Sequence, residues 1–383
     1  MTADVTLEKS TEGTKIGLGP IDCDVHHGHI DGVWDLKPYI DKYWQARIGI
    51  IDPKGSGTGG SQGYQMPGIS WLRMPGFPGQ AQLRQDCVPP NGNKPGSDPA
   101  FMIEDLLDRY DLAAAILLGG DIRSIGGIPD TDLAAALAAA HNDWTAELWL
   151  KADPRFRGSI TVAPRDTALA VKEIERWASH PGMIQILLCN DDGLMGKRVK
   201  WPIYEAAEHY GLPIAVHGGG EGAGINSPMT PLDAPTHFFE FHAGASQHVQ
   251  ARVISMVSEG VFEKFPKLQV VFVEAGFAWL PHVMWRMDKD WRSLRDEVPW
   301  IKRLPSEYVL ENIRVTSQPM YEPPVSKHLD YMLEMMHADE MLLFATDYPH
   351  WDGDDPKLAM NKIAQATRDR ILRGNAVDFY SRL

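Results

Sequence analysis

The run Leu342-Leu343-Phe344-Ala345-Thr346-Asp347-Tyr348-Pro349-His350 decides how this chain is read. An apolar strand ends on a carboxylate and passes at once into a proline-containing polar loop. A solvated surface aspartate needs no such strand beneath it. The same event recurs at Ile21-Asp22-Cys23-Asp24-Val25-His26, at Pro213-Ile214-Ala215-Val216-His217 and at Val270-Val271-Phe272-Val273-Glu274. Four strands that each finish on a metal-competent side chain imply one metal site at the C-terminal mouth of a parallel barrel.

Working outward, short apolar runs bounded by turn residues alternate with stretches of helical period. Eight strands are predicted: Ile21–Val25, Ala113–Leu118, Ser159–Val162, Met183–Leu188, Pro213–His217, Val270–Glu274, Ile313–Thr316 and Leu342–Thr346. Helices are predicted at Thr131–Lys151, Thr167–Ala178, Pro202–His209, Gln247–Lys264, Trp279–Glu297, Pro324–His337 and Pro356–Arg373. The fold expected is α/β, a distorted (β/α)8 TIM barrel. A doubly wound open sheet shares the local alternation, but the polar residues sit at strand C-termini throughout, which favours the barrel. Residues 45–99 interrupt the pattern with Gly55-Ser56-Gly57-Thr58-Gly59-Gly60 and a Pro/Gly/Met/Trp mixture, and are expected to be an insertion or lid after the first strand. All 383 residues are expected to form one domain.

A net charge of −14 repels polyanions, so neither nucleic acid nor an anionic membrane is an expected partner. Cys23, Cys87 and Cys189 are too few and too scattered for a disulfide framework or a cysteine-rich zinc site. The first ten residues lack a basic n-region and an apolar h-region, and no apolar run is long enough to span a bilayer. A cytoplasmic enzyme acting on a small molecule is expected, and the insertion and aromatic content suit a homodimer.

Side chains two apart on a strand face the same way, so Asp24 and His26 are expected to grip one ion together. His217 and Asp347 complete a ligand set from three strands, and Glu274 is placed as a further ligand or as an acid/base. The cofactor expected is one divalent ion, zinc first, with manganese as the other candidate. His27 and His29 read as loop residues. His242 and His248 read as helix-capping residues, with His248 kept as a candidate for substrate contact. Trp71 and Trp351 are candidates for stacking on a flat substrate, and Arg73, Arg84 and Arg123 for clamping an acid. Asn142-Asp143-Trp144 reads as packing.

Asp24-Val25-His26, His217 with the glycines after it, Gly260 through Gly276 and Thr346-Asp347-Tyr348-Pro349-His350 together resemble the amidohydrolase superfamily. More narrowly they resemble its branch containing aminocarboxymuconate-semialdehyde decarboxylase, resorcylate-type decarboxylases and several hydrolases. In that resemblance Asp24 and His26 stand for the first-strand ligand pair and His217 for the fifth-strand ligand. Asp347 stands for the eighth-strand aspartate that touches the metal and moves a proton, with His350 beside it. No strand-end lysine offers a carbamylated bridge, which implies one metal. The departure is Glu274, where decarboxylase members carry a histidine. Three carboxylates about one divalent ion leave about one negative charge, which opposes a carboxylate substrate. The expected function is therefore metal-dependent hydrolysis with metal-activated water on a small cyclic or aromatic substrate. The alternative is metal-dependent nonoxidative decarboxylation of an aromatic or unsaturated acid.

Overall fold

The computed structural model describes residues 17–48, 83–189, 193–218 and 236–383. Eight parallel strands follow one another around the sheet in chain order: β1 (Ile21–Val25), β2 (Ala114–Leu117), β3 (Phe156–Thr161), β4 (Met183–Cys189), β5 (Ile214–His217), β6 (Val270–Val273), β7 (Ile313–Thr316) and β8 (Leu342–Leu343). The ring closes through backbone bonds between its first and last members: Cys23 N–H to Phe344 O (2.9 Å), Asp347 N–H to Asp24 O (3.1 Å) and His26 N–H to Tyr348 O (2.8 Å). This is the expected TIM barrel.

Alternation along the strands sorts the core into two layers. Ile21, Cys23, Ala114, Ile116, Leu187, Ala215, Val271, Val273 and Leu343 fill the interior, floored by Phe379 and Tyr380. Val216, Val270, Phe272 and Phe344 face outward against the helices. Apolar residues on both faces are what a parallel sheet buried on both sides requires.

Closure depends on a buried aspartate. Asp22 accepts hydrogen bonds from Thr346 N–H (3.0 Å), Thr346 Oγ1 (2.5 Å) and Asp24 N–H (3.1 Å), tying β1 to the segment after β8. Thr346 Oγ1 in turn accepts from Tyr348 N–H (3.1 Å). Thr346→Val keeps the shape but strips partners from two buried groups, and is expected to cost about 1–3 kcal/mol of unfolding free energy. A urea midpoint unchanged from the parent chain would contradict this role.

The helices depart from expectation where backbone chemistry intervenes. The stretch predicted as Gln247–Lys264 divides into Ser246–Ser258 and Val261–Lys264 at Gly260, whose φ of +73° no helix tolerates. The stretch predicted as Pro356–Arg373 is turn until Gln365. Most of the proposed 45–99 insertion lies outside the described residues. Its described end runs beside the barrel mouth, where Leu83 bridges to His350 and Arg84 N–H bonds Pro349 O (2.9 Å). Among the described residues no helix is long and apolar enough to cross a membrane.

Candidate metal centre

Simple alternation does not aim Asp24 at the barrel mouth. Asp22 pairs with Ala115 and Val25 with Leu117, so β1 advances three residues while β2 advances two. The extra residue is a β-bulge. Ile21 and Cys23 face the interior before it, and Val25 faces outward after it. Asp24 and His26 are thereby turned together toward the mouth. His217 arrives by ordinary alternation from interior Ala215, whereas Asp347 stands four residues beyond the end of β8, in the segment that closes on Asp24 O.

Glu274 follows inward-facing Val273, so a continued strand would aim it at the helices. Instead its φ is +51°, and that of Asp347 is +59°. A left-handed backbone at a non-glycine residue costs about 1–2 kcal/mol. Two such residues, both carboxylates at strand ends, mark a place where the fold holds strain to aim functional groups.

The aimed atoms converge. His26 Nε2 lies 3.0 Å from Asp24 Oδ1 and 2.8 Å from Asp347 Oδ1, and His217 Nε2 lies 3.2 Å from Glu274 Oε2 and 3.9 Å from Asp24 Oδ2. Atoms that ligate one ion at about 2.1 Å stand roughly 3.0–3.4 Å from one another. Asp24, His26, His217 and Glu274 offer ligand atoms that all fall within 4.8 Å of one another, as do His26, Glu274, Asp347 and His350.

Both oxygens of Asp24, both nitrogens of His26 and Oδ2 of Asp347 are buried without a hydrogen-bond partner among the described residues. Each such atom left unsatisfied costs about 1–3 kcal/mol. A divalent cation would remove that cost for the carboxylate oxygens and for Nε2 of His26, which faces them, so the donor set fits one. His217 Nδ1 faces the carbonyl oxygen of Gly218, which places the ring hydrogen there and leaves the Nε2 lone pair for a ligand.

Electrostatics agree with the geometry. Burial, and then the negative charge of Glu274, push the carboxyls of Asp24 and Asp347 well above the ordinary range. Burial, then Arg123, hold His26 well below the usual imidazole value, and the same two causes put His350 at about 3. A neutral imidazole beside carboxylates that resist ionisation is a cluster short of positive charge.

Three further groups complete the mouth. The Arg123 guanidinium lies 3.4 Å from His217 Nε2, 3.4 Å from His350 Nε2 and 3.7 Å from Glu274 Oε2. His242 Nε2 stands 3.2 Å from Asp352 Oδ2 and 3.7 Å from Glu274 Oε1, and its ring centre lies 5.8 Å from that of Trp351. Asp352 and Glu274 raise His242 to about 10. His350 Nδ1 is 2.5 Å from Asp347 Oδ1.

Sequence reasoning brought Asp24, His26, His217, Glu274, Asp347 and His350 together, and the structure places them together. It gave His242 a capping role, whereas His237 and Glu240 cap the helix Phe238–Ala243 and His242 points to the site. Asp352 was not singled out, although it follows the strand-end loop by only a few residues. Arg84 pairs with Asp86, so of the two candidate arginines that are described, Arg123 is the one placed at the site. His248 lies on the helix Ser246–Ser258 and belongs to neither cluster of ligand-capable atoms. Trp351 is 39% exposed. Trp71 and Arg73 lie outside the described residues. His27 and His29 lie in the loop after β1, as expected, and are buried there against Trp144 and His141.

The sequence profile described as amidohydrolase matches residues 21–382. Gamma-resorcylate decarboxylase of a Polaromonas species is 25% identical over 294 residues, covering 72% of this chain and 85% of that protein. The 2-amino-3-carboxymuconate-6-semialdehyde decarboxylase of Dictyostelium discoideum is 23% identical over 253 residues, covering 63% of this chain and 66% of that one. The solved dihydroxybenzoic acid decarboxylase of Polaromonas, with bound manganese and the inhibitor 2-nitroresorcinol, superposes with a TM-score of 0.64. It is 20% identical and covers 95% of this chain and 97% of its own.

Proposed function

The chain belongs to the amidohydrolase family, and on that premise we propose that it is a nonoxidative decarboxylase of an aromatic or unsaturated carboxylic acid. Asp24, His26, His217 and Asp347 would hold one divalent ion, manganese before zinc. Two carboxylates with two imidazoles suit the harder cation, and manganese is the ion bound in the solved Polaromonas decarboxylase.

The observation that carries this reading is the placement of Arg123. A guanidinium, only 19% exposed and within 3.4 Å of two site histidines, presents a fork matched to a carboxylate. Attack of water on a neutral amide or ester develops negative charge only in the transition state, whereas a carboxylate substrate brings a full charge for the guanidinium to pair in the ground state. The guanidinium also removes the objection raised by charge. Asp24, Glu274 and Asp347 with a divalent ion sum formally to −1, and Arg123 returns the count to zero. His242, raised to about 10 by Asp352 and Glu274, offsets Asp352 in the same way. The expected preference for hydrolysis rested on the uncompensated charge, so decarboxylation takes precedence.

When bound, the ion supplies positive charge that orients the substrate's oxygens and stabilises electrons gathering in the ring. Arg123 pairs with the substrate carboxylate and fixes the carbon that bears it. Asp347, its carboxyl pushed well above the ordinary range by burial, passes a proton to that carbon, and His350 Nδ1, 2.5 Å from Oδ1, orients it. The bond to the carboxylate then breaks, its electron pair stays with the carbon, and carbon dioxide leaves. Burial of the carboxylates and of His26 keeps water from competing for the proton. Trp351 and His242 form the aromatic side of the mouth against which a flat ring can lie.

Arg123→Ala removes a charge-assisted contact of about 1.5–3 kcal/mol, so the KM for such an acid should rise roughly 10- to 100-fold. An unchanged KM would take Arg123 out of substrate binding. The reaction class is tested by incubating manganese-loaded protein with ortho-hydroxybenzoates in deuterated water. Carbon dioxide and one deuterium on the vacated carbon, in equal amounts, are expected. Solvent oxygen in the product with no carbon dioxide would establish hydrolysis instead.

A further inference from the structure

We propose that three buried histidines outside the ligand set, His27, His29 and His141, act with Thr145 as positioning residues for the turn that carries Arg123. The inference rests on the carboxylate-binding role given to Arg123 above. All three histidines are at most 2% exposed. Trp144 stacks on His27 at 5.4 Å and 14° and packs on His29 at 4.3 Å.

This cluster is not a second metal site. His141 meets His29 Nε2 through Nδ1 (3.4 Å) and Thr145 Oγ1 through Nε2 (3.5 Å), and the two nitrogens of one ring point apart. No single ion can collect both.

The cluster is a hydrogen-bond chain with one direction. Gly119 N–H carries a hydrogen that cannot move, and it donates to His27 Nδ1 (3.1 Å). His27 must therefore carry its own hydrogen on Nε2, where it donates to Thr145 Oγ1 (2.8 Å). The threonine hydroxyl is then turned to His141 Nε2, and the His141 hydrogen sits on Nδ1, facing His29. One backbone amide thus sets the tautomer of His27 and, through Thr145, that of His141.

The chain ends on the turn after β2, so it delivers no proton to the site. What it fixes is backbone. Gly120 N–H also bonds His27 O (2.8 Å). Gly119 has φ +60°, and a Cβ there would sit 2.9 Å from His141 Nε2 and 2.8 Å from Ile122 Cγ2, so His141 packs on the bare glycine. Gly120 O accepts from Arg123 Nε (3.2 Å), and the guanidinium then reaches His217 and His350. Because His27 directly follows the ligand His26, the network registers Arg123 against the metal ligands.

Thr145→Val removes the hydroxyl and keeps the shape; Thr145→Ser restores it. Salicylate binding to full-length, manganese-loaded protein is measured by calorimetry in the parent, in both variants and in each combined with Arg123→Ala. Thr145→Val should weaken binding about 5- to 10-fold without changing manganese content, and the serine variant should recover it. In the Arg123→Ala background Thr145→Val should have no further effect. A loss of equal size in that background, or parent-like binding by Thr145→Val, would make the network packing alone. If the parent binds salicylate no better than Arg123→Ala, the carboxylate role of Arg123 falls, and this inference with it. Nitrogen NMR of the unmutated protein gives a test free of folding defects: His27 should carry its hydrogen on Nε2, and the opposite tautomer overturns the proposal.

Discussion

Asp347→Asn is expected to lower turnover by about 10³-fold or more while leaving the fold and much of the bound metal in place. Asparagine matches the carboxylate in shape and can keep an oxygen toward the ion, but it cannot hold a proton and release it to substrate. The neighbouring contacts define what is lost. Oδ1 lies 2.8 Å from His26 Nε2 and 2.5 Å from His350 Nδ1, so in the proposed site one oxygen would stand between the ligand set and His350. The backbone constraint survives, because Asp347 N–H still bonds Asp24 O and asparagine accepts the left-handed φ of +59° more readily than most residues. Turnover and manganese content are measured on one preparation. Parent-like turnover would remove Asp347 from the chemistry, and loss of all metal would make it a ligand without a separable proton role.

His26→Ala is expected to weaken manganese affinity by at least about 10²-fold and to remove turnover with it. His26 is the centre of the cluster: its Nε2 faces carboxylate oxygens from β1 and from the end of β8, and no other described side chain touches both. Alanine leaves Asp24 and Asp347 buried and facing one another across a gap, with their mutual repulsion unrelieved. Metal per chain after dialysis, read by elemental analysis, decides the matter. A full equivalent retained by the variant would place the ion elsewhere.

Strand ends were legible in the sequence because a parallel barrel buries both faces of its strands, so a carboxylate or imidazole closing an apolar run stands out. Asp24, His26, His217, Glu274 and Asp347 were all found in that way. The geometry that aims two of them was not legible. The bulge in β1 depends on how Ile116 is opposed across the sheet, and the positive φ of Glu274 depends on the turn it must enter. Arg123, His242 and Asp352 lie on turns and a short helix with no periodicity of their own, so their convergence is a tertiary fact. Arg123 was one of three candidate arginines, and Gly119-Gly120 before it was the signal that could have singled it out, since paired glycines after a strand mark close backbone approach. Asp22 was hidden by its neighbour: next to a ligand pair it passes for part of the pair, whereas its carboxylate holds Thr346 and the backbone of Asp24.

Diffraction from manganese-loaded crystals, recorded where manganese scatters anomalously, tests the convergence itself. One peak is predicted, about 2.0–2.3 Å from oxygens of Asp24 and Asp347 and from ring nitrogens of His26 and His217. No peak among these four side chains, or a single peak bound elsewhere on the chain, would contradict the account.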